Sequence, residues 1–270
     1  MPHPPPEDSL DGTDRSHQLR LSYIRLMATA ESPLIHVARR FCGPPESANG
    51  GYICGLVAGR IHQPVTVRLL RPPPLETALE LHVVEPGVWA VEYAGLRYIE
   101  ARATAPLELD IPASPGYVQA QESTLHGPSD AREHPCPGCF VCGPERAHGD
   151  GLRIFAGPVP GRDLVAAAWV PDVSVAQGGK VHPEVLSAAL DCPGFHALRT
   201  GSRPWLLGEF AVRVDRLVHA DERCVIVGWK LVGAGRKQTV GTALFDEDGE
   251  VCAWARGTWI EPRAAPSSAP

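Results

Sequence analysis

The sequence of 270 residues has few aromatic residues, no long apolar run and no excess of basic residues. Because a membrane-spanning helix needs roughly 18 or more consecutive apolar residues, we expect no such helix. The net charge of −6 argues against a general nucleic-acid-binding protein, which usually carries a basic stripe. The first residues lack the apolar core of a signal peptide, which favours a cytoplasmic location. In that compartment the eight cysteines should be mostly reduced thiols rather than disulfides.

Composition divides the chain into two halves between polar ends. Residues 1–18 and 263–270 are rich in proline, serine or charged residues, and they are predicted to be disordered tails. Residues 106–133 contain many Pro, Gly, Ser and His residues, which predicts a connector. The first half is therefore predicted over 19–105 and the second half over 134–262.

Short apolar runs separated by turn residues predict β-strands in both halves. These runs are LSYIRLMA, PLIHVARRF, VTVRLL, ALELHVVE, WAVEYAG and YIEARATA in the first half, and GLRIFAGPV, LVAAAWVPD, EFAVRVDRL, CVIVGWKLV, QTVGTALF and VCAWARGTWIE in the second. Residues 67–71 resemble 212–216, and 101–104 resemble 255–258, so the halves repeat one another. One apolar helix with several antiparallel strands in each half predicts an α+β fold, whose sheets could pair edge to edge.

The segment VHPEVLSAALDCPGFHAL, residues 181–198, has apolar residues at helical spacing and predicts one helix. Pro183 suits the first turn, where its missing N–H costs nothing. Asp191 then lies near the end of an apolar helix, where a carboxylate must be paired, open to a cleft or held at a perturbed pKa. The alternative is a surface residue that ends the helix before Pro193.

The first half contains a similar helix, predicted from CGPPESANGGYICGLVAGRI. Ser47 or Asn49 can cap this helix, which Gly50 and Gly51 open. Glycine at a helix start lets another group approach the backbone N–H closely. This helix start is therefore accessible to a bound group.

These segments resemble hotdog-fold acyl-CoA thioesterases, and the repeat resembles their double-hotdog members. ANGGYICGLVAGRI is similar to the first-half helix of acyl-CoA thioesterase II-like proteins. CFVCGPERAHGDGLRIF, followed by VHPEVLSAALD, is similar to the phenylacetate-pathway and 4-hydroxybenzoyl-CoA thioesterases. The resemblance spans residues 19–262. It implies a double hotdog in which two antiparallel sheets each wrap a long central helix.

The resemblance also implies an activity and its reacting groups. The expected reaction is hydrolysis of an acyl-CoA or acyl-carrier-protein thioester, without a cofactor, in a protein that can form a homodimer of double hotdogs. In this family the helix begins His-Gly-Gly, and the first Gly N–H polarises the thioester carbonyl. An acidic residue nine positions after the His acts as base or nucleophile. His182 and Asp191 match these two positions, but Pro183 has no N–H to donate.

The first-half helix departs from the family pattern in the opposite way. Asn49 stands at the His position and Gly50 keeps the donor, whereas Ala58 replaces the acid. In related dimers the donor and the acid come from opposite subunits. The resemblance therefore implies one complete site, with Gly50 and Asn49 of the first half facing Asp191 of the second. The complementary pair of Pro183 and Ala58 should be inactive.

Further candidates for substrate binding are Gly51, Tyr52, His182, His196, Arg236 and Lys237. Arg236 and Lys237 could meet CoA phosphates, although scattered basic residues are usually solvated surface. Asp191 and His196 resemble the dyad of hotdog enoyl-CoA hydratases, but that dyad opens its helix, so a hydratase is the weaker alternative. The missing donor at Pro183 keeps open a non-catalytic hotdog module that binds an acyl group or a partner.

The segment CPGCFVCG places Cys136, Cys139 and Cys142 three apart, with His134 and His148 nearby. Residues of these types can bind zinc. A structural zinc site usually pairs two separated groups of ligands, and the chain has no second CxxC. We therefore expect no catalytic metal here, while a structural metal stays open.

Overall fold

In the computed structural model of the chain, which describes residues 34–198 and 205–262, both halves contribute strands to one antiparallel sheet. The strands of these described residues are β1 (Leu34–Ile35), β2 (Val65–Leu69), β3 (Leu79–Glu85), β4 (Val88–Tyr93), β5 (Leu96–Ala103), β6 (Gly157–Pro158), β7 (Leu164–Trp169), β8 (Ala176–Gln177), β9 (Lys180–Val181), β10 (Leu206–Val214), β11 (Cys224–Ala234), β12 (Lys237–Phe245) and β13 (Val251–Ile260). Buried residues alternate with more exposed ones in β2 and at the start of β3, as one-sided burial of a sheet requires.

The helices of the described residues are α1 (Gly50–Ile61), α2 (Tyr117–Leu125), α3 (Pro183–Ala189) and α4 (Cys192–Ala197). Helix α1 begins after an asparagine cap, Asn49, and ends at His62 in the left-handed conformation. Helix α3 begins with Pro183, where a missing N–H costs nothing. Within the described part of the chain, no helix has the length and apolar character needed to cross a membrane.

The sheet has the order β1-β3-β4-β5-β2-β10-β13-β12-β11-β7-β6, while β8 and β9 form a separate hairpin. The order of the second half mirrors that of the first about the β2–β10 junction. At this junction Phe210 lies opposite Val67 and Glu209 lies opposite Arg68. The edge-to-edge pairing considered from the sequence is present: β2 and β10 pair and cover each other's edge, so the sheets of the two halves form one continuous sheet among the described residues.

Helices α1 and α3 pack against each other at the glycines of α1. A Cβ at Gly51 would lie 2.6 Å from Asp191 Cβ, and a Cβ at Gly55 would lie 2.6 Å from Ser187 Cβ and 2.9 Å from Glu184 Cα. Since residue numbers rise along one helix as they fall along the other, the helices are antiparallel. Only residues without a Cβ permit this approach. The packing therefore brings the start of α1 to the end of α3.

The helix predicted from the segment 181–198 is confirmed with Asp191 near its end, since α3 ends at Ala189, but residues 192–197 form a second helix, α4, that was not predicted. Pro193 lacks the N–H that a continuous helix would bond to the carbonyl four residues earlier. At the break, the Thr242 hydroxyl donates a hydrogen bond to the Leu190 carbonyl at 2.8 Å. Asp191 consequently lies between two helices, where its side chain reaches the start of α1.

Three other segments differ from the sequence predictions. GLRIFAGPV is a strand only at Gly157–Pro158, because N–H groups before it bond to the loop at 140–141. PLIHVARRF is a strand only at Leu34–Ile35 and then forms a 3₁₀ turn. The predicted connector, 106–133, contains α2, whose Ala120 is buried in an apolar cluster with β7. The run LSYIRLMA and both predicted tails lie outside the described residues.

Alanine at Gly55 should destabilise the fold, whereas alanine at Gly59, one turn further along α1, should stabilise it. The Cβ at Gly55 would meet Ser187 at 2.6 Å, but a Cβ at Gly59 would have nothing within 4 Å. Overpacking costs about 1–3 kcal/mol, and alanine gains about 1 kcal/mol over glycine inside a helix. Urea unfolding of Gly55→Ala and Gly59→Ala measures both free energies. Equal stabilisation of the two variants would contradict the close packing of α1 on α3.

Candidate active site

Asp191 lies in the gap between α3 and α4 and is only 4% exposed. Its Oδ2 accepts hydrogen bonds from the Gly51 N–H at 2.9 Å and from Asn49 Nδ2 at 3.0 Å. Both donors belong to the N-terminus of α1, where unpaired N–H groups and the helix dipole favour negative charge. A carboxylate of the second half is thus bound at the start of the first-half helix.

The Asn49 side chain caps helix α1 and also donates a hydrogen bond to the Asp191 carboxylate. Its backbone is extended, and its Oδ1 accepts a hydrogen bond from the Tyr52 N–H at 2.9 Å, which makes it the N-cap of α1. Its Nδ2 donates to Asp191. An aspartate here could cap the helix, but it would place a second carboxylate beside Asp191. The asparagine amide supplies an acceptor and a donor together.

Burial raises the pKa of Asp191 from 3.8 to about 7. The Gly51 N–H opposes this rise, the charge of Cys139 adds to it, and the Asn49 amide opposes it. The Oδ1 atom of Asp191 has no hydrogen-bond partner among the described residues. A carboxyl group that ionises near neutral pH and keeps one oxygen unpaired is suited to act as a general base or a nucleophile.

The N–H of Gly50 is the first of α1, and it has no hydrogen-bond partner in the described part of the chain. A Cβ at Gly50 would lie 2.8 Å from Leu207 Cδ2 and 3.3 Å from Leu69 Cδ1, so two apolar side chains flank this position. Leu207 packs in turn against an apolar cluster that contains Phe195, Leu198, Trp205, Val240 and Trp259. The Gly51 N–H therefore donates to the acid, while the Gly50 N–H is free to donate to a ligand oxygen.

Tyr52 is placed in the core rather than on an open surface. Its ring stacks on Phe41, with centroids 4.1 Å apart and planes 8° from parallel, and meets Phe140 edge-on at 6.1 Å. Burial raises the pKa of its hydroxyl group. Tyr52 therefore stabilises the start of α1 by packing, which differs from the substrate contact expected from the sequence.

The two histidines predicted near the site do not bond to the Asp191 carboxyl group. His182 precedes α3, and its Nδ1 lies 3.9 Å from Glu184 Oε1. His196 Nε2 is buried and has no hydrogen-bond partner in the described residues, and neither does the Oδ1 of Asp191. The Asp–His pair that a hydratase would use is therefore not formed.

Arg236 and Lys237 lie at the turn between β11 and β12, at one end of the sheet. Lys237 is opposite Ile260 of β13, and Ile260 is opposite Leu206 of β10. The next residue, Leu207, flanks the first turn of α1. The two basic residues are therefore at the same end of the sheet as the unpaired helix N–H.

The equivalent position in the other half lacks both reactive groups. Pro183 opens α3 without an N–H, and Ala58 of α1 stands where the acid would be. A cavity of about 570 Å³ lies over this position, and it is bordered by both residues, by Ser187 and by strand β10. This cavity has space for a ligand, but Pro183 and Ala58 give it neither a helix N–H nor an acid at the positions equivalent to Gly50 and Asp191.

Comparison with known proteins gives matches at the level of structure. No protein-family profile and no curated protein sequence matches the chain. The tesB protein of Mycobacterium avium subsp. paratuberculosis is 14% identical, with 80% of this chain and 88% of that chain covered and a TM-score of 0.53. A protein with a hot dog fold from Alicyclobacillus acidocaldarius is 13% identical, with 87% and 97% covered and a TM-score of 0.54.

A candidate thioesterase from Novosphingobium aromaticivorans is similar to the same degree, at 14% identity, 85% and 95% coverage and a TM-score of 0.53. The chain has the hotdog fold. The α+β hotdog fold predicted from the sequence segments is thereby confirmed. At such identities the likeness concerns the fold, so the activity of this hotdog protein must be argued from its own site.

Two buried hydroxyl groups that the sequence patterns did not indicate support the site. Ser187 Oγ donates to the Gly51 carbonyl at 2.7 Å and ties α3 to α1. Thr242 holds the Leu190 carbonyl at the break before Asp191. The sequence signal that could have indicated the close contact of α1 with α3 is the four-residue spacing of Gly51 and Gly55. This spacing places both glycines on one face of a helix of the hotdog core.

Asp191→Asn should stabilise the protein near pH 8 and change its stability little near pH 3, below the pKa of the unfolded chain. The native carboxyl group, with a pKa of about 7, is neutral at the lower pH and carries a buried charge at the higher one, while the unfolded chain ionises near 3.8. The free energy of unfolding of the natural protein therefore falls by up to about 4 kcal/mol between these pKa values. The Tm of both proteins at each pH is the measurement. A difference that does not grow with pH would contradict the raised pKa.

Proposed function

We propose that the chain is a double hotdog that hydrolyses an acyl thioester at one composite site. The proposal is carried by one observation: Asp191 of the second half is hydrogen-bonded to the first turn of α1, beside the unpaired N–H of Gly50. Thioester hydrolysis needs a base or nucleophile together with a donor for the developing oxyanion. The first half supplies the donor, at Gly50, and the second half supplies the base or nucleophile, Asp191.

The Gly50 N–H is the proposed oxyanion donor. Attack on a thioester carbonyl moves negative charge onto its oxygen, and a single well-placed donor stabilises such a transition state by about 3–4 kcal/mol. The N-terminal end of α1 adds the partial positive charge of the helix dipole. Leu69 and Leu207 lie beside Gly50, and an oxyanion bound between such apolar side chains would interact more strongly with the N–H.

Asp191 is the proposed base or nucleophile. Hydrogen bonds from Gly51 and Asn49 fix its Oδ2, so the direction of the unpaired Oδ1 is set before substrate binds. As a base, Oδ1 takes a proton from the water that attacks the acyl carbon. As a nucleophile, it attacks the acyl carbon itself, and water then cleaves the resulting anhydride. In both routes the C–S bond breaks and the thiol leaves.

The site favours a substrate with an apolar acyl group and an anionic carrier. Leu207 and the cluster around Trp259 offer apolar contacts beside Gly50. Arg236 and Lys237 lie at the same end of the sheet and suit the phosphates of CoA or of a carrier protein's phosphopantetheine arm. The proposed substrates are therefore acyl-CoA or acyl-carrier-protein thioesters.

A non-catalytic module that binds an acyl group or a partner is the second candidate. It is favoured by the burial of Asp191, which is 4% exposed. It is also favoured by the cavity of about 570 Å³, which lies over the inactive pair of Pro183 and Ala58. A module of this kind would bind thioesters without releasing thiol.

Release of free thiol from a panel of acyl-CoAs distinguishes the two candidates. We expect the natural protein to hydrolyse some members, and Asp191→Asn to lower kcat/KM by about 10²–10⁴ because an amide is neither base nor nucleophile. Adding Ala58→Asp to that variant should not restore turnover, since Pro183 has no N–H for the second site. A folded Asp191→Asn protein that keeps the natural rate would overturn the assignment. Binding without hydrolysis by the natural protein would favour the module.

The same assay has a matched pair of controls at Gly50. Gly50→Pro removes the donor N–H, while Gly50→Ala adds a side chain and keeps the donor. Proline is well tolerated at a first helical position, as Pro183 shows in α3. The proline variant should lose about 10²–10³ in kcat relative to the alanine variant. Equal rates for the two variants would exclude the Gly50 N–H as the oxyanion donor.

A further inference from the structure

Three cysteines and two histidines meet beside the break between α3 and α4. They are His134, Cys139, Cys142, Cys192 and His196. The three sulfur atoms lie within 4.8 Å of one another, and Cys142 Sγ also lies within 4.8 Å of a ring nitrogen of each histidine. All three thiol side chains are buried. The cluster thus has the donor types of a zinc site.

The spacing of Cys139 and Cys192 suits a tetrahedral ion, and the link of His196 to the three thiols is its ring nitrogen within 4.8 Å of Cys142 Sγ. The Sγ atoms of Cys139 and Cys192 are 3.8 Å apart. In a tetrahedral zinc site with Zn–S bonds of about 2.3 Å, two sulfur ligands are about 3.8 Å apart. Reduced cysteines with no metal would gain only weak S–H hydrogen bonds from this arrangement.

The second group of ligands, absent as a motif from the sequence, comes from α4. Cys192 and His196 are four residues apart, so both project from the same face of one helical turn. Cys139 and Cys142 come from a tight turn in which the Cys139 N–H bonds to the Cys136 carbonyl at 2.9 Å. The two groups are distant in the chain and meet only in the fold.

Each histidine has a buried ring nitrogen that is free to interact with the cluster. The Nε2 atoms of His134 and His196 have no hydrogen-bond partner among the described residues. Burial lowers the pKa of His196 to about 3, so its ring is neutral.

We propose that Cys139, Cys142, Cys192 and His196 bind one structural Zn²⁺ ion. His134 is assigned to a supporting position, because its Nδ1 accepts the Cys136 N–H at 3.1 Å and its proton must then lie on Nε2. From there it can donate to a metal-bound thiolate. The ion would join the 139–142 turn to α4, next to Asp191, and so fix the break that positions the acid.

Metal analysis of the full-length protein, purified after expression with zinc, tests the site without an activity assay. We expect about one zinc per chain. Cys139→Ser and Cys192→Ser should each lower the zinc content by about tenfold or more. Cys136→Ser is the matched control, since this cysteine belongs to the same motif but lies outside the cluster. It should keep the full zinc content.

X-ray absorption of the natural protein keeps the proposal testable if the serine variants do not fold. It should show three sulfur ligands at about 2.3 Å and one nitrogen ligand at about 2.0 Å. No zinc in the natural protein, or an equal zinc content in Cys136→Ser and Cys192→Ser, would overturn the proposal. A Cys139–Cys192 disulfide in the freshly purified natural protein would also overturn it.

Discussion

The hydrogen bonds between the Asp191 carboxylate and the first turn of α1 are the interaction on which the arrangement of the site depends. Burying a carboxylate is costly unless donors replace water. Gly51 and Asn49 supply two donors, at 2.9 and 3.0 Å, and the helix terminus supplies a favourable field. Gly51 must lack a side chain for Asp191 to come this close, and the interruption before Pro193 is needed to direct the carboxylate towards α1.

The mirrored strand order of the two halves gives two equivalent positions, and a few residues make them chemically different. The pseudosymmetry is visible in the mirrored strand order about the β2–β10 junction. One position keeps an N–H at Gly50 and an acid at Asp191, whereas the other has Pro183 and Ala58. The first is buried, and the second lies below a cavity. Because each position uses groups from both halves, neither half alone could form the proposed site.

The sequence was informative where the signals are local. Alternating apolar runs predicted most strands, and the residue types around Asn49 predicted the start of α1. Local patterns could not show that the N–H of Gly51, rather than that of Gly50, donates to Asp191, since this depends on how closely α3 packs against α1. The joining of Cys192 and His196 to the CPGCFVCG turn is equally non-local, and the edge pairing of β2 with β10 involves only short segments.

The pH dependence of kcat/KM for the best acyl-CoA of the panel tests the central claim most directly. It reports both that thioester hydrolysis occurs and that it requires the ionised form of the buried carboxyl group. Because the pKa of Asp191 is about 7, kcat/KM should rise about tenfold for each pH unit below this value and level off above it. A profile that is flat down to about pH 5, where this carboxyl group is protonated, would contradict the account.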